Sequence, residues 1–281
     1  MNSSSSEESI QIYLNSQYAS QCNNGLYNSD CDYILPTIEI PNDYQIYLSV
    51  QSAMIPYSFY NIDTNNNLIV IKWFSLTEQY LSSLNIIIPV GNYNAIQLST
   101  YITNQTYGLT LINKSTLEMT FNIITNRFEF SSIIYAFSFD YILSTALQLF
   151  GFSKFISNII TPSSSYKSIT VNTISTMISM TQINLSPKKY LYIGTNLQTG
   201  NIMSINSNNS NSKNILCAIP ITSSPYSTIS YINYNNFSVN LYNNILSTIN
   251  IKILDSEGIP INLNNQFYSL TLQLDIVNFV S

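Results

Sequence analysis

A chain without histidine has few ways to move a proton at neutral pH, and these 281 residues contain none. The commonest general base, the commonest zinc ligand and the usual partner of a serine or cysteine nucleophile are all missing. Carboxylates come next, and only two close pairs stand out: Asp30 with Asp32, and Asp255 with Glu257. Asp30 and Asp32 flank Cys31 in a stretch rich in Gly, Asn and Ser. Oxygen ligands there could hold calcium, but a solvated turn is the expectation. Asp255-Ser256-Glu257-Gly258 reads as a turn that Asp opens and Gly closes in the left-handed region. Cys22, Cys31 and Cys217 lack C-x-x-C spacing, and zinc held by three scattered cysteines is disfavoured. Cys22 and Cys31 flank a loop and could pair, yet reduced thiols are the expected state. There is no Walker loop and no dinucleotide fingerprint, and seven glycines leave little to cradle a phosphate. No catalytic, cofactor-binding or metal-binding residue is therefore assigned, and a carboxylate hydrolase is the least favoured class.

Composition points elsewhere. Charged residues make up 8% of the chain, against about 25% in ordinary soluble domains. Asn, Ser, Thr, Gln and 22 Tyr take their place. Such a surface repels copies of itself weakly, which suits a subunit packed against neighbours. A/T-rich coding accounts for part of the bias, but that would also raise Lys, and Lys and Arg together number only 9. Net charge is −5 with no basic stripe, so no specific nucleic-acid partner is expected. No apolar run approaches a membrane span. The start, MNSSSSEES, reads as a flexible arm over about residues 1–9 without a secretory signal, and synthesis inside a cell is the default. The sequons at Asn104, Asn113, Asn184 and Asn236 are what chance supplies in so Asn-rich a chain.

The elements are mostly strands. Residues 44–50 alternate Tyr44, Ile46, Leu48 and Val50 against Gln45, Tyr47 and Ser49. Residues 67–74 and 247–254 are also extended. In 268–277, Tyr268, Leu270, Leu272, Leu274 and Ile276 face inward and Ser269, Thr271, Gln273 and Asp275 outward. Alternation of period two with short polar turns marks half-buried antiparallel sheets. Residues 80–165 differ: a strand with a Pro/Gly exit, a helix near 94–104, a meander turning at Thr125-Asn126, and a helix near 140–150 stopped by Gly151. This predicts a small α+β module inserted into a larger β domain made of residues 1–79 and 166–281. Residues 198–213 are Ser/Asn-rich and read as a long exposed loop. Trp73 could stack on a sugar, but it lies in the apolar run Leu68 to Phe74, so core packing is expected.

Three segments carry a resemblance: SVQSAMIPYSFYNID before an Asn-rich turn; IIIPVGNYNAIQLSTYI leading to TLEMTFNIITNRFEFSS and ALQLFGFSK; and INIKILDSEGIPINLNNQFYSLTLQLDI. In this order the chain resembles the penton or minor capsid proteins of large double-stranded DNA viruses, virophages and polinton-like viruses. The resemblance implies a mainly β fold, a single jelly roll with a projecting insertion. It implies a homopentamer closing five-fold vertices beside major capsid protein subunits, in a virion whose proteins are made in host cytoplasm. Size agrees, since a double jelly roll would need a longer chain. The competing class is a carbohydrate- or receptor-binding jelly-roll module of a viral fibre or surface protein, and assembly state separates the two.

Overall fold

The computed structural model describes residues 7–23, 28–41, 43–75, 77, 79–107, 117–133, 135–152, 165–167, 169–171, 174–186, 188–199, 202–203 and 213–278. They fall into two compact units, Met1–Phe59 with Lys188–Ser281, and Tyr60–Pro187. The first unit opens with β1 (Glu7–Asn15), β2 (Gln21–Cys22), β3 (Asp30–Glu39) and β4 (Tyr44–Pro56). The second holds β5 (Leu68–Phe74), β6 (Tyr80–Ile87), α1 (Ala95–Thr106), β7 (Glu118–Asn122), β8 (Arg127–Ser132) and β9 (Ala136–Asp140). It ends with β10 (Ser165–Lys167), β11 (Ile169–Val171) and β12 (Ile174–Ile178). The chain then returns to the first unit through β13 (Tyr190–Thr195), β14 (Ile202–Met203), β15 (Lys213–Pro220) and β16 (Thr228–Ile232). It finishes with β17 (Val239–Leu241), β18 (Ile245–Leu254) and β19 (Ser269–Asn278).

Pairing in the first unit is nested. β1 pairs with β19, β3 with β18, β4 with β16 and β13 with β15, all antiparallel. The chain is thus one long hairpin whose outer strands close last along the sequence. Two sideways links, β19 to β4 and β18 to β13, roll that hairpin into two sheets. One sheet runs β1-β19-β4-β16 with β17 beside β4, and the other runs β14-β15-β13-β18-β3-β2. This strand order is a jelly-roll β-sandwich. Inward residues of both sheets meet in one core, including Ile46, Leu48, Val50, Ile193, Ile251, Leu272 and Leu274.

The alternation read from β19 holds: Tyr268, Leu270, Leu272, Leu274 and Ile276 are buried and the intervening side chains are half-buried. β4 carries a bulge, because Val50 pairs with Leu272 and Ser52 with Thr271, leaving Gln51 as the extra residue. The inward set therefore changes parity from Leu48 and Val50 to Ala53 and Ile55. Ser49, expected outward, is buried, and its hydroxyl lies 3.4 Å from the Gln273 carbonyl.

The second unit has two four-stranded sheets, β10-β9-β5-β6 and β11-β12-β8-β7, over a second core. Phe128, Phe130, Phe137, Phe139, Phe150 and Phe152 interlock there, most of the touching pairs edge-on or tilted. α1 starts at a capping box in which Asn94 and Gln97 exchange side-chain and backbone hydrogen bonds. It buries Leu98 and Ile102 while Ile96 faces out.

Several expectations are corrected. Residues 140–150 form turns. The Asp140 carboxylate accepts the Ile142 and Leu143 amides, and both Thr145 and Ala146 amides donate to the Leu68 carbonyl. With those donors diverted, no helical ladder can form, although Ala146, Leu147 and Phe150 are still buried. Gly151, expected to stop that helix, instead takes a left-handed conformation within the turns, at φ +83. A Cβ there would sit 2.3 Å from the Thr181 carbonyl oxygen, so only glycine fits. Glu7, Glu8 and Ser9 belong to β1 and not to a free arm, because they continue its pairing with β19. The second unit is wider than 80–165, since β5 pairs with β6 and β9, and β12 with β8. The expected loop at 198–213 and the sequon at Asn113 lie largely or wholly outside the described residues.

Candidate functional site

The most concentrated polar chemistry lies at one corner of the jelly roll. Asp30 and Asp32 alternate onto the same face of β3, and register places Lys252 opposite Asp30 and Asn250 opposite Asp32 on β18. The Asn250 side-chain amide donates to Asp30 Oδ1 and to Asp32 Oδ1, both at 2.8 Å. Asn23 donates from its own amide to Asp32 Oδ2 at 3.0 Å and to Asp30 Oδ1 at 3.4 Å. Lys252 Nζ lies 3.4 Å from Asp30 Oδ2. Asp30 is only 7% exposed, so the solvated turn expected from sequence is instead a buried strand end.

Cys22 and Cys31 are directly opposed between β2 and β3 and form a disulfide, correcting the expectation of reduced thiols. Strand pairing holds the two Cα atoms close enough to bridge, a proximity that spacing in sequence does not reveal. Replacing both by serine should lower stability by about 2.5 kcal/mol, because the bridge closes a short loop in the unfolded chain. Urea titration beside the unaltered protein measures this, and unchanged stability would refute it. Behind the corner, the Tyr33 and Tyr268 hydroxyls meet at 3.1 Å. Burial pushes the Tyr33 phenol up to about 12, although the hydrogen bond to Tyr268 pulls the other way. Burial likewise raises Tyr268, with the neighbouring Tyr33 and the Asp30 charge adding to it. Cys217 is a buried free thiol that burial pushes up to about 12, which leaves it no nucleophile at neutral pH.

The remaining candidates are structural in position. Asp255 Oδ1 accepts the amides of Glu257 and Ile259, and the Gly258 amide donates to the Asp255 carbonyl. Gly258 is left-handed, as the turn requires. Trp73 is 2% exposed and tilted against Phe137, so it presents no face to a sugar. In the second unit Lys72 Nζ pairs with Asp140 Oδ2 at 2.7 Å. Burial alone would raise the Asp140 carboxyl, but Lys72 and the Leu143 and Ile142 amides outweigh it and hold it below its usual value. Among the described residues, no three His, Cys, Asp or Glu side chains cluster, and no helix is long and apolar enough to cross a membrane.

A second feature is an open flank. Among the described residues, β1 pairs only with β19 and β3 beyond Asp32 has no strand on its outer side, so both sheets end here. Between these edges runs a groove of about 700 Å³ lined by Ile10, Ile12, Leu14, Tyr33, Leu35 and Ile38 among others. Tyr13 and Ile34 on its walls are 74% and 76% exposed. Neither residues 9–15 nor residues 33–38 contain a charged side chain. Sequence reading missed Asn23, Asn250, Lys252 and the groove because β3 meets β18, and β1 meets β19, only through long-range pairing.

No protein-family model matches this sequence, and no curated protein matches it. Among solved structures, the chain is similar to the crystal structure of the mavirus penton protein, at TM-score 0.56 and 14% identity. The match covers 96% of this chain and 99% of that one, so the fold is shared over the full length. A chain in the cryo-EM structure of the Sputnik virophage also matches, at TM-score 0.47 and 13% identity over 97% of this chain and 98% of that chain.

Proposed function

We propose that this protein is a non-enzymatic structural subunit of a virion, the penton that closes the five-fold vertex of an icosahedral capsid as a homopentamer beside major capsid protein subunits. The observation that carries this is the jelly roll, which together with the second unit follows the mavirus penton fold over nearly its whole length. The side chains agree in kind: the close carboxylate pairs and Asp140 are spent on amides, Lys72 and turns, and no histidine is present. The flank supports lateral association. Its two strand edges, unpaired among the described residues, carry exposed apolar side chains, and the lack of charge on 9–15 and 33–38 lets an equally charge-poor second copy approach. A head-to-tail contact between two different surfaces of one chain must close into a ring or run on as a filament, and a vertex demands closure.

Native mass spectrometry of the purified chain is expected to give a closed ring of five. Ile34→Asp, at an exposed position on the groove wall, should leave the fold intact and shift the ring toward monomers. A protein that stays monomeric at high concentration, with vertex density belonging to another chain, would sink the penton reading and leave the carbohydrate- or receptor-binding module in its place.

A further inference from the structure

A ring closed by head-to-tail contact needs two different surfaces on each chain, and the groove flank is only one of them. The strand order puts a second in view. β1 and β16 are opposite edges of one sheet, and among the described residues β16 pairs only with β4. Ile229 is buried and Tyr231 packs on the core, whereas Ile232 is 55% exposed. Register sets Met54 of β4 opposite Ser230, so Met54, itself 59% exposed, lies diagonal to Ile232 on the outer face. The chain then passes from β16 to β17 through a short loop that Asn233 holds shut. Asn233 is buried, its Nδ2 donates to the Phe237 carbonyl at 2.9 Å, and its Oδ1 accepts the Phe237 amide at 3.0 Å. Tyr234, 83% exposed, and the half-exposed Phe237 are thus displayed on a fixed backbone. Aromatic side chains carried on a fixed backbone lose little entropy when a partner covers them. Residues 214–251, which hold β16, β17 and this loop, contain no charged side chain.

We propose that the β16 edge of one copy, through Met54, Ile232, Tyr234 and Phe237, docks on the groove flank of the next copy. This rests on the ring reading above and adds the second surface that the ring uses. Three observations favour a second copy as the occupant. Neither surface presents a charge, on 9–15 and 33–38 or on 214–251, so no ion has to leave water when they meet. Tyr13 and Ile34 on the groove wall are of the same chemistry as the side chains that would face them, aromatic and aliphatic. The two surfaces also lie at opposite edges of one sheet, so a single copy can engage a neighbour on each side at once, as closure requires. A groove-to-groove contact would instead be two-fold and stop at a dimer.

Native mass spectrometry of Ile232→Asp and Ile34→Asp tests this, each alone and then mixed at high concentration with one of them isotope-labelled. Ile232→Asp should lose the ring, as is expected of Ile34→Asp on the groove side. The equimolar mixture should give a dimer with one chain of each kind and nothing larger. There the intact groove of the Ile232→Asp chain takes the intact β16 edge of the Ile34→Asp chain, and the two faces left over are both spoiled. If Ile232→Asp fails to fold, Tyr234→Asp, at a loop position outside the core, takes its place. A ring that survives Ile232→Asp, a mixture that stays monomeric, or a dimer made of Ile232→Asp chains alone would overturn the proposal while the penton reading stands. An unaltered protein that never forms a ring removes both.

Discussion

Truncating Phe130 to alanine is expected to cost the second unit about 4 kcal/mol, the upper range for a buried aromatic. Phe130 is 1% exposed, and its ring touches Phe128, Phe139 and Phe152. Deleting it removes apolar burial, three favourable ring contacts and leaves a cavity that β-sheet walls cannot collapse to fill. The two units have separate cores, so the effect should stay local. Amide hydrogen exchange should quicken in β8 and β9 while β4 and β19 keep their protection. A uniform loss of protection would mean that the units unfold as one, and an unchanged second unit would mean that the packing is looser than described.

Replacing Asp140 by alanine is expected to cost about 3 kcal/mol. Asp140 is nearly buried, and its loss strands Lys72 and frees the amides of Ile142 and Leu143. The pH dependence has a definite sign. The folded carboxyl is held below its usual value, so its contribution is full above the unfolded value near 3.9 and fades as pH falls through the lower folded one. The stability gap to Asp140→Asn should therefore be flat from neutral pH to about 5 and shrink below about 4. A gap that widens in acid would refute the depressed carboxyl.

Local signals in the sequence carried far. Period-two alternation identified β19 and the 44–50 part of β4 with their inward faces and β18 as a strand, the apolar residues Leu98 and Ile102 marked α1, and the Asp255–Gly258 turn has the geometry its residues suggest. What escaped was decided at long range. The stripe Leu143, Ala146, Leu147, Phe150 suits a helix, but the Leu68 carbonyl, far away in sequence, claims two of the amides it would need. The pattern of β5 reads as a strand without saying which sheet receives it, so the bounds of the second unit were misplaced. Asp30 and Asp32 looked like a solvated turn because nothing local announces that Asn250 and Lys252 lie across the ladder. Spacing could not reveal that Cys22 and Cys31 face each other, because a two-residue strand is too short to leave a pattern.

The nested pairing of the jelly roll also favours one order of folding. β13 with β15 joins strands close in sequence, whereas β1 with β19 joins the two ends of the chain. Each doubling of the loop to be closed costs about 0.6 kcal/mol more, so zipping from the inner hairpin outward is the cheaper route. The connection between β4 and β13 is long, but Lys188 lies over the Phe59 ring at 5.9 Å, so its two ends return to one place. A second unit that folds early shortens that gap to a few residues. On that route the β1–β19 pairing forms last, and β1 is one wall of the groove. The flank cannot exist until the subunit is complete. If the flank is the contact between copies proposed above, an unfinished chain lacks the surface it would need to join them.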